Sequence, residues 1–110
     1  MMFDESKLMS HFDGDKEMIT ELIEVFDDSY KESLTALKDS LKEEDFKKIE
    51  LHAHTLKGMI ANFFAEDLRV AAYDIEKMGH NSEISGYESQ LAVLDEKLPM
   101  LITELRSFCG

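Results

Sequence analysis

Apolar residues recur at helical spacing along nearly the whole chain, and almost nothing alternates as a half-buried strand would. Residues 4–12 carry Leu8, Met9 and Phe12 and predict a short leading helix. Asp13-Gly14-Asp15 then predicts a turn whose last residue is a good N-cap. From Lys16 to about Glu43, Ile19, Leu22, Ile23, Phe26, Tyr30, Leu34, Leu37 and Leu41 hold one face of a long amphipathic helix. At 1.5 Å per residue that helix is on the order of 40 Å long. Glu44-Asp45 breaks it, and Asp45 caps the next helix, read over 46–63. Leu68, Ala71, Ala72, Ile75 and Met78 mark a further helix, with Gly79 expected at its C′ position and a loop from His80 to Ser85. Ser85 and Glu88 have capping-box spacing and open a last helix carrying Tyr87, Leu91, Leu94, Leu98, Leu101, Ile102 and Leu105. Pro99 removes a backbone donor inside it and predicts a kink or break near Leu98. Four long amphipathic helices with short connections pack most simply as an all-α, antiparallel four-helix bundle with a short extra N-terminal helix.

The helix over 46–63 carries the chemistry. On a wheel at about 100° per residue, Phe46, Ile49, Ala53, Leu56, Ile60 and Phe63 share the buried arc, and His54 points roughly 130° away from its centre. Lys47, Glu50, Lys57, Gly58 and Ala61 fall on the same wet side, because residues three, four and seven apart are neighbours on a helix surface. A glycine inside a helix costs roughly 1 kcal/mol relative to alanine, so Gly58 asks for a reason. One turn beyond the imidazole, it removes the side chain that would cover the ring and leaves room for another protein. Lys57, at i+3, is within reach of a phosphoryl oxygen carried on the ring. His54-Thr55-Leu56-Lys57-Gly58 therefore suits a histidine that carries a phosphoryl group.

Composition narrows the class. With 110 residues the chain is read as one domain over 1–110, too small to hold a nucleotide-binding domain as well. Hydrophobic residues at 44% and charged ones at 33% describe a globular, helix-friendly chain and not a disordered one. A net charge of −12 repels nucleic acid and anionic membrane surfaces, so neither is expected as a partner. No apolar run approaches membrane-spanning length, and the N-terminus lacks the pattern of a signal peptide, which together point to the cytoplasm. The lone Cys109 makes no internal disulfide and fits a reducing compartment.

The chain resembles the histidine-containing phosphotransfer (HPt) domains of bacterial multistep phosphorelays. The resemblance runs over Asp15 to Leu41 with its "LIEVF" segment, "AHTLKGMIANFFAEDL" from Ala53 to Leu68, and "DIE" at Asp74 to Glu76. Asn62 and Ala65 also match the family's pattern. The chain departs from that pattern at Met59 and Ile60, often small or polar in the family, and at Phe64, where the family has a glycine in the tight turn.

The resemblance implies that His54 is the phosphoacceptor, supported by Lys57 and Gly58. Glu50, Ala61, Asn62 and Phe64 would help form the docking surface. The implied partners are response-regulator receiver domains and a hybrid histidine kinase. The implied reaction relays a phosphoryl group between receiver aspartates. Histidine suits it because an unperturbed imidazole is largely neutral and nucleophilic at about pH 7. Mg²⁺ is expected only on the receiver, and no cofactor on this chain. Thr55 stands where sensor kinases typically carry an acidic residue after the reactive histidine, and no glycine-rich nucleotide motif is present. The chain is thus expected to be a transfer intermediate and not an autokinase.

Other readings predict different behaviour. His52 lies about 160° from His54 and reads as a boundary residue, while His11 and His80 read as structural bystanders. Glu50 and His54 have metal-compatible spacing without a third ligand, so no metal site is expected. A helical adaptor that binds a kinase or receiver without being phosphorylated keeps the same bundle. A dimerisation bundle predicts a concentration-dependent mass, whereas the absence of a spare apolar stripe favours a monomer.

Overall fold

A computed structural model describes residues 2–110, and of the domain read over 1–110 only Met1 lies outside them. Five helices follow in order: α1 (Glu5–His11), α2 (Lys16–Glu43), α3 (Phe46–Ala61), α4 (Glu66–His80) and α5 (Tyr87–Cys109). The second and third start at the caps read for them, Asp15 and Asp45, and Asp4 caps the first in the same way. The side chains of Asp4, Asp15 and Asp45 accept from the backbone N–H groups of Lys7, Met18 and Lys48, satisfying donors that a helix start leaves free.

The four long helices form a closed ring in which α2 packs on α3, α3 on α4, α4 on α5 and α5 on α2. Their directions are fixed by cross-helix pairs. Glu50 meets His80, His54 meets Glu76 and Lys57 meets Glu76, so α4 descends as α3 climbs. Lys38–Asp95 and Arg106–Asp27 run α2 and α5 antiparallel in the same way. The ring is 41 Å long and 22 × 20 Å across, the length set by α2.

The core holds the residues that the periodicity selects, among them Ile19, Ile23, Leu37, Ile49, Leu56, Ile60, Ile75, Leu94, Leu98 and Leu105, all essentially without exposure. At ~1.5–3 kcal/mol for each fully buried aliphatic side chain, this face outweighs any single cap or surface pair. The N-terminal segment joins the same core through buried Phe3 and Leu8, with Phe3 set edge-on to Phe108.

Three local expectations are corrected. Gly79 is not a C′ residue: it lies inside α4, buried, and the helix ends one residue later at His80 with Asn81 as its cap. A Cβ there would stand 2.7 Å from the Glu50 nitrogen and 3.0 Å from the Phe46 oxygen, so Gly79 is where the backbones of α3 and α4 touch. The Ser85 capping box does not form. Gly86, at φ 83°, takes the N-cap position without a side-chain bond, which leaves Ser85 one residue too early, and its hydroxyl donates to Glu83 instead. Pro99 does not break α5, which runs unbroken from Tyr87 to Cys109. Pro99 is exposed, as is Asp95, whose carbonyl loses its helical donor and can turn to water, while buried Leu98 and Leu101 hold the helix to the core.

α3 also ends earlier than the reading over 46–63. Asn62 caps it, and Phe63 and Phe64 form the turn into α4. Phe64 adopts φ 58°, a left-handed conformation that costs a residue with a Cβ roughly 1–2 kcal/mol. The tight turn is kept with a phenylalanine because the surroundings hold it. The Phe64 carbonyl accepts from Asp4 N–H at 3.0 Å, and its ring packs on His11 with centroids 5.5 Å apart.

Candidate functional site

His54 stands in the middle of α3 with its side chain 65% exposed, as the wheel predicts. Its Nδ1 lies 3.1 Å from Oε2 of Glu76 on α4. A carboxylate can only accept, so this contact assigns the ring proton to Nδ1 and leaves the Nε2 lone pair free. Glu76 is 16% exposed, and its second oxygen, Oε1, lies 2.8 Å from Lys57 Nζ. The latter is an ion pair, with the ammonium outside directed hydrogen-bond geometry at that oxygen. Lys57 Nζ also sits 4.9 Å from the Tyr73 ring centroid, and Lys77 approaches the same ring at 4.7 Å. Burial pushes the Glu76 carboxyl up, but the contacts from Lys57 and His54 outweigh it and hold the group below the usual glutamate range. Partly exposed ion pairs add only about 0–1 kcal/mol to stability, so the main consequence of this triad is orientation of the ring.

Gly58 leaves the turn after His54 bare. It is exposed, and a Cβ built on it would meet nothing within 4 Å. The contrast with Gly79 is direct, since packing requires one glycine and leaves the other unexplained. Ala61 and Asn62 continue the same exposed face.

Other expected site residues are placed differently. Glu50 is half-buried and engages His80, its Oε2 lying 2.9 Å from the ring Nδ1, so His80 is the last residue of α4 and tied to α3. Phe64 is not an exposed apolar side chain beside His54: it is half-buried against the leading segment at one end of the bundle. Exposed apolar surface next to the site comes from Leu51, one turn before His54, and from a groove between α2 and α3 lined by Leu22, Val25, Met59 and Asn62. Leu22, read as core, is only half-buried at that groove. His52 is half-buried, at the edge of the core. Among the described residues, no three His, Cys, Asp or Glu side chains converge as a metal site, and no helix is long and apolar enough to cross a membrane.

Glu76 is the site residue that sequence reasoning missed. It lies 22 residues from His54, beyond any wheel drawn on one helix. Its signal was indirect: a carboxylate beside buried Ile75, inside the "DIE" stretch that follows the central motif.

The site thus presents an exposed imidazole with one nitrogen engaged and the other open, a cation one turn away, and a bare approach. Comparison with known proteins agrees with that chemistry. Over 106 residues, 96% of this chain, the sequence is 29% identical to the phosphorelay intermediate protein rdeA of Dictyostelium discoideum. The chain spans 42% of that relative's length. No solved structure gives a significant match. The sequence model of the Hpt domain matches residues 21–108, from the second turn of α2 almost to the end of α5 and including the whole site, and the chain belongs to the Hpt domain family.

Proposed function

We propose that this chain carries phosphoryl groups between receiver-domain aspartates on Nε2 of His54. The observation that carries the reading is the exposed ring whose Nδ1 faces Glu76 while Nε2 is open beside Gly58. Nε2 attacks the phosphorus of a receiver's aspartyl phosphate, an N–P bond forms, and the donor aspartate leaves as a carboxylate. An acceptor aspartate later reverses the step. Because this domain holds the nucleophile in line and exposed, its contribution is mainly positional. Stabilisation of charge on the moving group falls to the receiver with its Mg²⁺. Lys57, one turn from His54 and paired with the carboxylate that His54 also meets, is the cation that would exchange part of that pairing for a phosphoryl oxygen.

The chain is not a kinase. Thr55, next to the histidine, has its hydroxyl committed to the Leu51 carbonyl at 3.0 Å and supplies no base. A hybrid histidine kinase and one or more response regulators are the partners this reading expects, met in the cytoplasm by a monomer. Docking uses the face of His54, Gly58, Ala61 and Asn62 together with the α2–α3 groove.

The test is incubation of wild type and His54→Gln with phosphorylated receiver domains, following both binding and label. Wild type is expected to gain acid-labile, alkali-stable label, and His54→Gln to bind the same receivers without it. Receivers that bind wild type and never transfer would instead establish a phosphorylation-independent adaptor.

A further inference from the structure

The seam between α3 and α4 is closed by three rungs on successive turns. Glu50 meets His80, His54 meets Glu76, and Lys57 meets Tyr73. The first two join a ring nitrogen to a carboxylate. In the third a cation faces an aromatic ring, with Nζ of Lys57 4.9 Å from the centroid of Tyr73. That lies inside the distance of about 6 Å at which an ammonium is drawn to the negative face of a ring. Helical spacing builds the arrangement. Tyr73 and Glu76 are three residues apart on α4, so both reach the stretch of α3 that carries His54 and Lys57. The buried face of α4 is supplied by Leu68, Ala71, Ala72 and Ile75, whereas Tyr73 is 39% exposed and is not needed to fill the core.

Lys57 thus has two holds, the Tyr73 ring and Oε1 of Glu76 at 2.8 Å, and its side chain is only 21% exposed. They differ in what they cost the reaction. Contact with Glu76 must be partly given up when a phosphoryl oxygen arrives, because carboxylate and phosphoryl group compete for the same positive charge. A ring face competes far less: it carries no net charge and takes none of the ammonium's N–H donors in a directed bond to an oxygen. Lys77 approaches the same ring at 4.7 Å, but it also pairs with Asp74 on its own helix, 3.4 Å from Oδ1.

We propose that Tyr73 is a positioning residue whose ring holds the ammonium of Lys57 beside His54, so that the cation turns from Glu76 to a phosphoryl oxygen without swinging out into solvent. This role rests on the relay reading and names what keeps its cation in place. The bonds made and broken are those of the relay. In the first transfer the Nε2–P bond forms and the donor's P–O bond breaks, its electron pair going to the aspartate. In the second the acceptor's O–P bond forms and the P–N pair returns to Nε2. Tyr73 gives and takes no proton in either step, and acts through Lys57 alone.

The test times transfer from a phosphorylated receiver to His54 in wild type, Tyr73→Phe, Tyr73→Leu, Lys57→Gln and the double variant Tyr73→Leu with Lys57→Gln. Phenylalanine keeps the ring face, and leucine keeps apolar cover without it. Tyr73→Phe is expected to transfer at the wild-type rate and Tyr73→Leu about two- to five-fold more slowly, the factor that matches an exposed cation–π contact. In the Lys57→Gln background leucine should slow transfer no further, because the cation through which the ring acts is gone. A general loosening of α4 would slow both backgrounds alike. Transfer by Tyr73→Leu at the wild-type rate, equal slowing by leucine in both backgrounds, or a phenylalanine variant as slow as the leucine one would each overturn the proposal, while label on His54 keeps the relay intact. If wild type takes no label on His54, the relay reading itself fails and the proposal with it.

Discussion

Gly58 separates stability from function at a single residue. Its place in the bundle has room for a methyl group, and alanine is favoured over glycine inside a helix by about 1 kcal/mol. Gly58→Ala should therefore raise the urea midpoint while slowing transfer from a phosphorylated receiver, two effects of opposite sign measured on one variant. A variant that gained stability and transferred at the wild-type rate would remove partner access as the reason for the glycine. His54, Lys57 and Gly58 could be read in sequence because one helix carries all three within five residues, where spacing alone places them on one face. Glu76 could not, because its place beside His54 is created by the packing of α4 on α3. Phe64 was misplaced for a related reason: periodicity does not reveal that Asp4 and His11, more than fifty residues earlier, fold over it.

At the scale of helices, the α3–α4 contact does most to set the site, since it brings Glu76 to His54 and His80 to Glu50. Gly79 lets these backbones meet. An added methyl at 2.7 Å from a backbone nitrogen has no flexible side chain to displace. Gly79→Ala is therefore expected to destabilise the fold by roughly 1–3 kcal/mol, the usual cost of overpacking, despite alanine's better helix propensity. Chemical denaturation checks the sign, and a stabilised variant would show that α4 can move off α3 at no cost. The helices themselves were largely legible, because their buried faces hold a period of 3.6 over many turns and Asp15 and Asp45 cap two of the starts as read. The ends were harder. Gly79 carries the residue type of a helix stop and serves as a contact, Ser85 has capping spacing but is displaced by Gly86, and Pro99 is tolerated because buried leucines on both sides hold α5 in place.

For the molecule as a whole, the ring of four helices buries one core and leaves exposed apolar side chains near the site, among them Val25 and Leu51. On a chain of net charge −12, an apolar strip beside His54 is the surface on which a partner can dock without facing dense negative charge. Val25 is 61% exposed, so Val25→Asp should leave stability within about 0.5 kcal/mol while weakening receiver binding. Titration of wild type and variant with a receiver checks this, and equal affinities would move the docking surface elsewhere. The bundle and its reactive face were visible in the sequence, whereas this groove was not, because Leu22 and Met59 read equally well as core until α2 and α3 are set side by side. The most direct test of the central claim is ³¹P and ¹⁵N NMR of the protein after incubation with a phosphorylated receiver. The account predicts one phosphoramidate, on Nε2 of His54, and none in His54→Gln. A phosphoryl group on Nδ1 or on any other residue, or none at all on a protein that binds its receiver, would contradict it.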